Sequence, residues 1–368
     1  MAKLRAAVVG CGGMGRCHLS ALQKMEELEL VAACDVMQAT LDRRAEEFTM
    51  PRTFTDLSAM LEEVRPEVVA VATQTRQHRE VVLACAEAGV RGILCEKPLA
   101  LDLAECDEML DACTRHGVQM AVNHQGHLRP TTLRAQAMVE QGVIGDLLVV
   151  RGVNKGGRKC GNELMEMGTH TTDRMICFGG HATWCHAFVT WDGRAATAAD
   201  IMDAQEMSPR DRDSGLVLGH RLFAQYGFQR APFGEMAMYA WEKTLAYGVD
   251  LIGTRGQLML RGSRMDGGLL HLDSPIFDPT RGLDQWNPVT GLPEEPVWGS
   301  MDDSVCVMYQ HLLRAIETGE PHPSSGDVGR HALEMVMAIY ESHRRGARVA
   351  LPLQDRTHPL DRWKREGG

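Results

Sequence analysis

Gly10-Cys11-Gly12-Gly13-Met14-Gly15 is a G-x-G-x-x-G, and what stands on either side of it decides the fold. The apolar strand Leu4 to Val9 runs directly into it, and a helix from Met14 to about Met25 opens out of it. A second strand, Leu28 to Cys34, follows and ends at Asp35, twenty positions beyond Gly15. Alone the motif is weak. In this strand–turn–helix–strand setting it reads as a dinucleotide fingerprint. Gly10 permits the tight turn, Gly12 lets a pyrophosphate approach the backbone, and Gly15 lets helix and strand pack closely, with Gly13 and Met14 completing the loop. Asp35 is placed to accept hydrogen bonds from adenosine ribose hydroxyls and to repel a 2′-phosphate. Val36 and Met37 after it supply no cation, so the pattern favours NAD over NADP.

Working outward, the same alternation continues. Val68 to Ala72 is a short apolar run with no polar alternation, as a parallel strand covered on both faces requires. Arg79 to Ala88 and Leu103 to His116 are helical, each closed by a glycine, and Gly92 to Cys95 and Val118 to Val122 are further strands. Repeated units of this length specify a doubly wound parallel sheet, a Rossmann domain over residues 1–123. Beyond Asn123 the texture changes. Helices at Thr131 to Gln141, Asp303 to Glu317 and Gly326 to Arg344 flank glycine-separated strand pieces, which predicts an α+β domain over 124–353 built on a large, mostly antiparallel open sheet. Residues 208–232 fit no pattern, and 354–368 read as a peripheral polar tail.

Composition removes several classes of function. With 368 residues, 44% hydrophobic and 24% charged, the chain suits two globular domains. A formal net charge of -10 argues against nucleic acid as a partner, whereas a dinucleotide held by backbone N–H groups needs no basic surface. No apolar run reaches the roughly 18 residues of a membrane span, and no signal peptide pattern opens the chain. Eleven cysteines without a C-x-x-C pair read as reduced thiols of a cytoplasmic protein. Cys177, His181, Cys185 and His186 match no common zinc spacing, so no metal is expected.

Two segments carry chemistry. Glu96-Lys97-Pro98 follows the strand Gly92 to Cys95, and the carboxyl ends of parallel strands are where such sheets bind ligands. A lysine there can hydrogen-bond a substrate hydroxyl, although a lone Lys before Pro is usually a loop residue. Glu166-Met-Gly-Thr-His170-Thr-Thr-Asp173 offers a histidine able to take a hydroxyl proton, with Asp173 one helical turn on to orient it. A histidine serving core hydrogen bonds would look the same. Asn154, Lys155 and Arg158 lie in a glycine-rich stretch and could clasp hydroxyls or line a solvated loop.

Together the glycine motif, Asp35, Glu96-Lys97-Pro98 and Gly168-x-His170-x-x-Asp173 resemble the glucose–fructose oxidoreductase, inositol dehydrogenase and rhizopine-catabolism family. Thr73 with His78, the stretch Gly142 to Asp146 and the ending Gly346 to Pro352 add to the likeness. The resemblance implies a Rossmann domain followed by an open-sheet domain that supports a homodimer or homotetramer. It also implies an NAD(P)-dependent dehydrogenase acting on a CH–OH group of a sugar, cyclitol or related polyol. Lys97 would be the active-site lysine and His170 the acid/base, with Thr73, His78 and Glu96 at the cofactor and His124 at the substrate. Glu166 stands where the family carries an aspartate, one methylene shorter. Some family members run redox-neutral glycosidase, lyase or epimerase chemistry through transient oxidation, and a non-catalytic NAD-binding regulator shares the fold, so both alternatives stay open.

Overall fold

The computed structural model describes residues 3–153, 160–207, 214–239, 248–261, 268–274, 286–290 and 300–367. The chain forms two compact units, Met1–Gln125 with Pro296–Arg330, and Gly126–Glu295 with His331–Gly368.

The first unit alternates as expected: β1 (Leu4–Val9), α1 (Gly13–Lys24), β2 (Leu28–Cys34), α2 (Gln38–Glu47), β3 (Thr53–Phe54), α3 (Leu57–Val64), β4 (Val68–Val71), α4 (Thr75–Glu87), β5 (Gly92–Cys95), α5 (Leu103–His116) and β6 (Gln119–Val122). The strands are parallel in the order β3-β2-β1-β4-β5-β6, the doubly wound order that reverses beside β1 and opens a ligand crevice at the carboxyl ends there. Every residue of β4 and β5 is buried, which is why those stretches lack polar alternation. Local chemistry sets the helix limits. The Asp102 carboxylate accepts from the Glu105 amide at 2.9 Å to open α5, and Gly117, at φ 70°, closes it.

The second unit begins with α6 (Pro130–Glu140) and β7 (Leu147–Val153). A helical run follows: α7 (Cys160–Glu163), a π-helical turn (Leu164–Gly168) and α8 (Thr169–Gly179). Then come β8 (Ala182–Trp191), β9 (Arg194–Ala195), β10 (Met202–Asp203), α9 (Ala204–Met207), β11 (Leu216–Val217), β12 (Arg221–Phe228), β13 (Phe233–Tyr239), β14 (Gly248–Gly253), β15 (Gln257–Arg261), β16 (Gly268–Leu272) and β17 (Asn287–Pro288). Among the described residues these strands and β18 (Val349–Ala350) give a ten-stranded sheet, antiparallel except where β13 runs parallel to β7; β10 and β11 pair separately. The segment that fitted no pattern supplies β11 and β12, next to β13.

The chain then returns to the first unit with α10 (Met301–Thr318). An added Cβ at Gly92, at the head of β5, would meet the Ile316 side chain of α10 at 2.6 Å, so glycine there admits the helix. The sequence reading keeps all of 124–353 in the second domain; the compact units end the first segment at Gln125 and give 296–330 to the Rossmann unit. After α11 (Gly326–Arg345), the tail expected to be peripheral folds back through α12 (Pro359–Arg365). His358, Leu360 and Arg362 are buried, and Arg362 donates to Glu341 at 2.7 Å. Among the described residues no helix is long and apolar enough to cross a membrane.

Candidate active site

Each glycine of the first motif answers to a different constraint. Gly10 has φ +87°, and a Cβ on it would sit 2.5 Å from the Ala72 carbonyl group. A Cβ on Gly15 would lie 1.9 Å from the Gly10 oxygen, so only glycine lets α1 pack on β1. At Gly12 and Gly13 nothing lies within 4 Å of an added Cβ, and no side chain caps the helix that starts there. The first amides of α1 are therefore left to meet an anion in open space. The Asp35 carboxylate is held at the mouth of this turn, accepting from the Cys11 amide at 2.8 Å and the Met37 amide at 2.9 Å. Arg44, missed by motif reading, braces the loop from below through Nε to the Cys11 carbonyl at 3.0 Å. Val36 and Met37 are exposed beside it. This cradle fits the adenosine and pyrophosphate of a dinucleotide.

The Glu96–Lys97 pair sits where β5 ends. Glu96 is buried, and Oε1 accepts from Asn123 Nδ2 at 2.6 Å and faces His18 Nε2 at 3.1 Å; Oε2 accepts from the Lys97 amide at 3.4 Å. Burial alone would raise its pKa, but the His18 and Asn123 hydrogen bonds and the Lys97 charge hold it below the usual carboxylate range. Lys97 itself is half-buried. His78 is buried behind this loop, Nδ1 3.1 Å from the carbonyls of Pro98 and Leu99 and Nε2 3.2 Å from that of Thr73. It ties the ends of β4 and β5 together, and burial pushes its pKa down. Thr73 Oγ1 and Asn123 Oδ1 are buried without a hydrogen-bond partner among the described residues. Two such atoms at the carboxyl ends of β4 and β6, on either side of Lys97, fit the polar nicotinamide half of the cofactor. His124 is buried just past β6.

In the second unit the π-helical turn inserts one residue's worth of slack between α7 and α8, a feature common where a helix must aim side chains. It carries Glu166, whose Oε1 accepts from Ser214 Oγ at 2.7 Å. His170 follows in the first turn of α8, half-buried, and Asp173 lies one turn deeper with no exposure. Asp173 Oδ1 is 3.2 Å from Nδ1 of His127. Burial disfavours a charged imidazole, yet Cys177 and Asp173 push the His127 pKa well above its ordinary value. Cys177 donates to the Asp173 carbonyl at 3.3 Å, and burial keeps its thiol pKa raised. Asp173 is thus a partner of His127 as well as a neighbour of His170 in sequence. The ligating atoms of His127, Asp173 and Cys177 lie within 4.8 Å of one another, the one such trio among the described residues. It shares only Cys177 with the four residues weighed from sequence; His181 stacks on His331 and His186 is exposed. Asn154, Lys155 and Arg158 lie outside the described residues.

Comparison with known proteins agrees with this geometry. Residues 4–124 match the model of an oxidoreductase family with an NAD-binding Rossmann fold. A D-apiose dehydrogenase of Paraburkholderia graminis is 26% identical over 95% of this chain and 90% of its own length. A D-glucoside 3-dehydrogenase of Escherichia coli is 32% identical, but the match takes in 43% of this chain and 44% of that one. In fold, a levoglucosan dehydrogenase solved with NADH superposes with a TM-score of 0.77 at 20% identity, covering 95% of this chain and 99% of that one.

Proposed function

We propose that the chain is a member of the glucose–fructose oxidoreductase, inositol dehydrogenase and rhizopine-catabolism family, a reading supported by the family match over residues 4–124 and the 26% identity to a D-apiose dehydrogenase. On that premise we propose that it is an NAD-dependent dehydrogenase of a sugar, cyclitol or related polyol. One observation carries the reading: the open glycine turn, Asp35 and Lys97 all stand at the carboxyl ends of one parallel sheet. Gly12, Gly13 and Asp35 would hold the dinucleotide, with Thr73, Glu96 and Asn123 towards its nicotinamide. When bound, NAD supplies the hydride acceptor for the carbinol carbon. By the family resemblance, Lys97 would donate a hydrogen bond to a substrate hydroxyl and His170 would serve as the acid/base. Glu166, steadied by Ser214, binds a neighbouring hydroxyl. The carbohydrate class follows from the relatives, which are named for apiose and glucosides. NAD is preferred to NADP because the Asp35 carboxylate faces the ribose end with no cation after it in sequence.

The second unit supports a homo-oligomer. Phe188 of β8 and Phe223 of β12 are register partners on one sheet face, 53% and 44% exposed, a pairing that a second copy would cover. Light scattering of purified protein tests this.

The enzymatic reading is tested by absorbance at 340 nm with NAD and a panel of sugars, cyclitols and glycosides, with product analysis. NADH is expected with one substrate group and is lost in Lys97→Ala and His170→Ala. Substrate consumed without NADH would replace the dehydrogenase by a redox-neutral enzyme.

A further inference from the structure

His18 belongs to none of the recognised motif positions, yet it is the most deeply enclosed polar side chain near the glycine turn. It lies on α1, three residues past Gly15, and is 0% exposed. Its Nδ1 is 2.9 Å from the hydroxyl of Tyr309 and its Nε2 is 3.1 Å from Glu96 Oε1. Tyr309 comes from α10, also 0% exposed, and its ring meets the imidazole edge-on at 5.7 Å. With a neutral imidazole the contacts are met when the tyrosine O–H donates to Nδ1 and Nε2–H donates to the Glu96 carboxylate. The same carboxylate takes the Asn123 amide at 2.6 Å and the Lys97 backbone amide at 3.4 Å.

We infer that His18 is a positioning residue for the nicotinamide end of the site. With Tyr309 it clamps the Glu96 carboxylate, and through it the Glu96–Lys97 peptide and Asn123, to the helix that receives the pyrophosphate. A carboxylate buried at a strand end is free to choose among rotamers unless donors fix it. Here three donors, from α1, from the residue just past β6 and from the loop itself, converge on it, so that helix and lysine loop move as one body. The phosphate end of the cofactor and the lysine at its other end are then set by one chain of hydrogen bonds. Lys97 is held through its backbone amide. The inference rests on the proposal that NAD occupies this unit.

The test separates the two ends of the cofactor in the full-length protein. NADH fluorescence reports the nicotinamide environment, and ADP-ribose binding by calorimetry reports the adenosine and pyrophosphate end. His18→Leu is expected to weaken NADH by about tenfold and abolish its fluorescence enhancement, while ADP-ribose affinity changes less than about twofold. His18→Gln, which can still donate to Glu96, is expected to recover most of the loss, and Tyr309→Phe to lose about threefold on NADH alone. Wild type that binds neither ligand would remove the cofactor reading itself. Wild type that binds both, with His18→Leu folded and unchanged, would overturn the positioning role. Equal losses on NADH and ADP-ribose would also overturn it, because a purely structural histidine weakens both ends together. If His18→Leu does not fold, the Gln and Phe variants decide by the same comparison.

Discussion

Two buried histidine–carboxylate pairs stand at nearly the same separation in the two units, His18 with Glu96 at 3.1 Å and His127 with Asp173 at 3.2 Å, and they solve the burial of a carboxylate differently. Around Glu96 the solution is several hydrogen-bond donors: His18, the Asn123 amide and the Lys97 backbone. Around Asp173 it is charge, because His127 is pushed towards the imidazolium form well above its ordinary pKa. A carboxylate fixed by several donors is suited to holding a loop in place. A carboxylate neutralised by one buried cation depends on that cation, and on pH.

The largest effect that would break this contrast is Asp173→Asn. It leaves the His127 imidazolium without its counter-charge inside the second unit and should destabilise the protein by about 3–5 kcal/mol, read from urea unfolding. Glu96→Gln keeps an acceptor for His18 and should cost less, about 1–3 kcal/mol, with the amide unable to receive every donor that the carboxylate does. If Glu96→Gln proves the more damaging of the two, the division into donor-held and charge-held pairs is wrong.

The pairs also bound stability from opposite sides of the pH scale. The Glu96 pKa is depressed, so its contribution is present above the usual glutamate range and is lost as pH falls through the lower folded value. The His127 pKa is raised, so its contribution is complete below about pH 6.5 and is lost as pH rises through the higher folded value. Unfolding midpoints measured from about pH 2 to 10 should show Glu96→Gln flattening the acid limb and His127→Gln flattening the alkaline one. A variant that flattened the opposite limb would reverse the assignment.

Neither pair can be seen from sequence, and the reason is distance along the chain. The glycine motif, the strand before it and Asp35 fall within one local unit, so periodicity and turn chemistry expose them. The unalternated run at β4 betrays a covered parallel sheet in the same way. His18 meets Glu96 across 78 positions and Tyr309 across 291, and no local pattern encodes such a meeting. The return of α10 to the first unit is hidden for the same reason, its one trace being the small residue Gly92 at the head of β5. In β12 the exposed Phe223 and the buried Tyr226 place aromatic residues on both faces, which erases the alternation a half-covered strand would show. The polar tail hid its anchoring because Arg356 and Arg362 read as solvent-facing until Glu334 and Glu341 of α11 supply their partners.

The finest distinction concerns which neighbour raises His127. Cys177 and Asp173 both lie against it, and only a thiolate could contribute charge from the cysteine. Burial raises the Cys177 thiol, which leaves it protonated near neutrality and able to give its hydrogen to the Asp173 carbonyl. The attraction on His127 then comes from the Asp173 carboxylate. Cys177→Ala should accordingly cost about 1 kcal/mol or less and leave the elevated His127 titration in place, followed by NMR of the ring protons. A collapse of that pKa towards 6.5 in the alanine variant would show instead that the second unit holds a buried thiolate–imidazolium pair. In that case the two networks would differ in the atom that carries the negative charge.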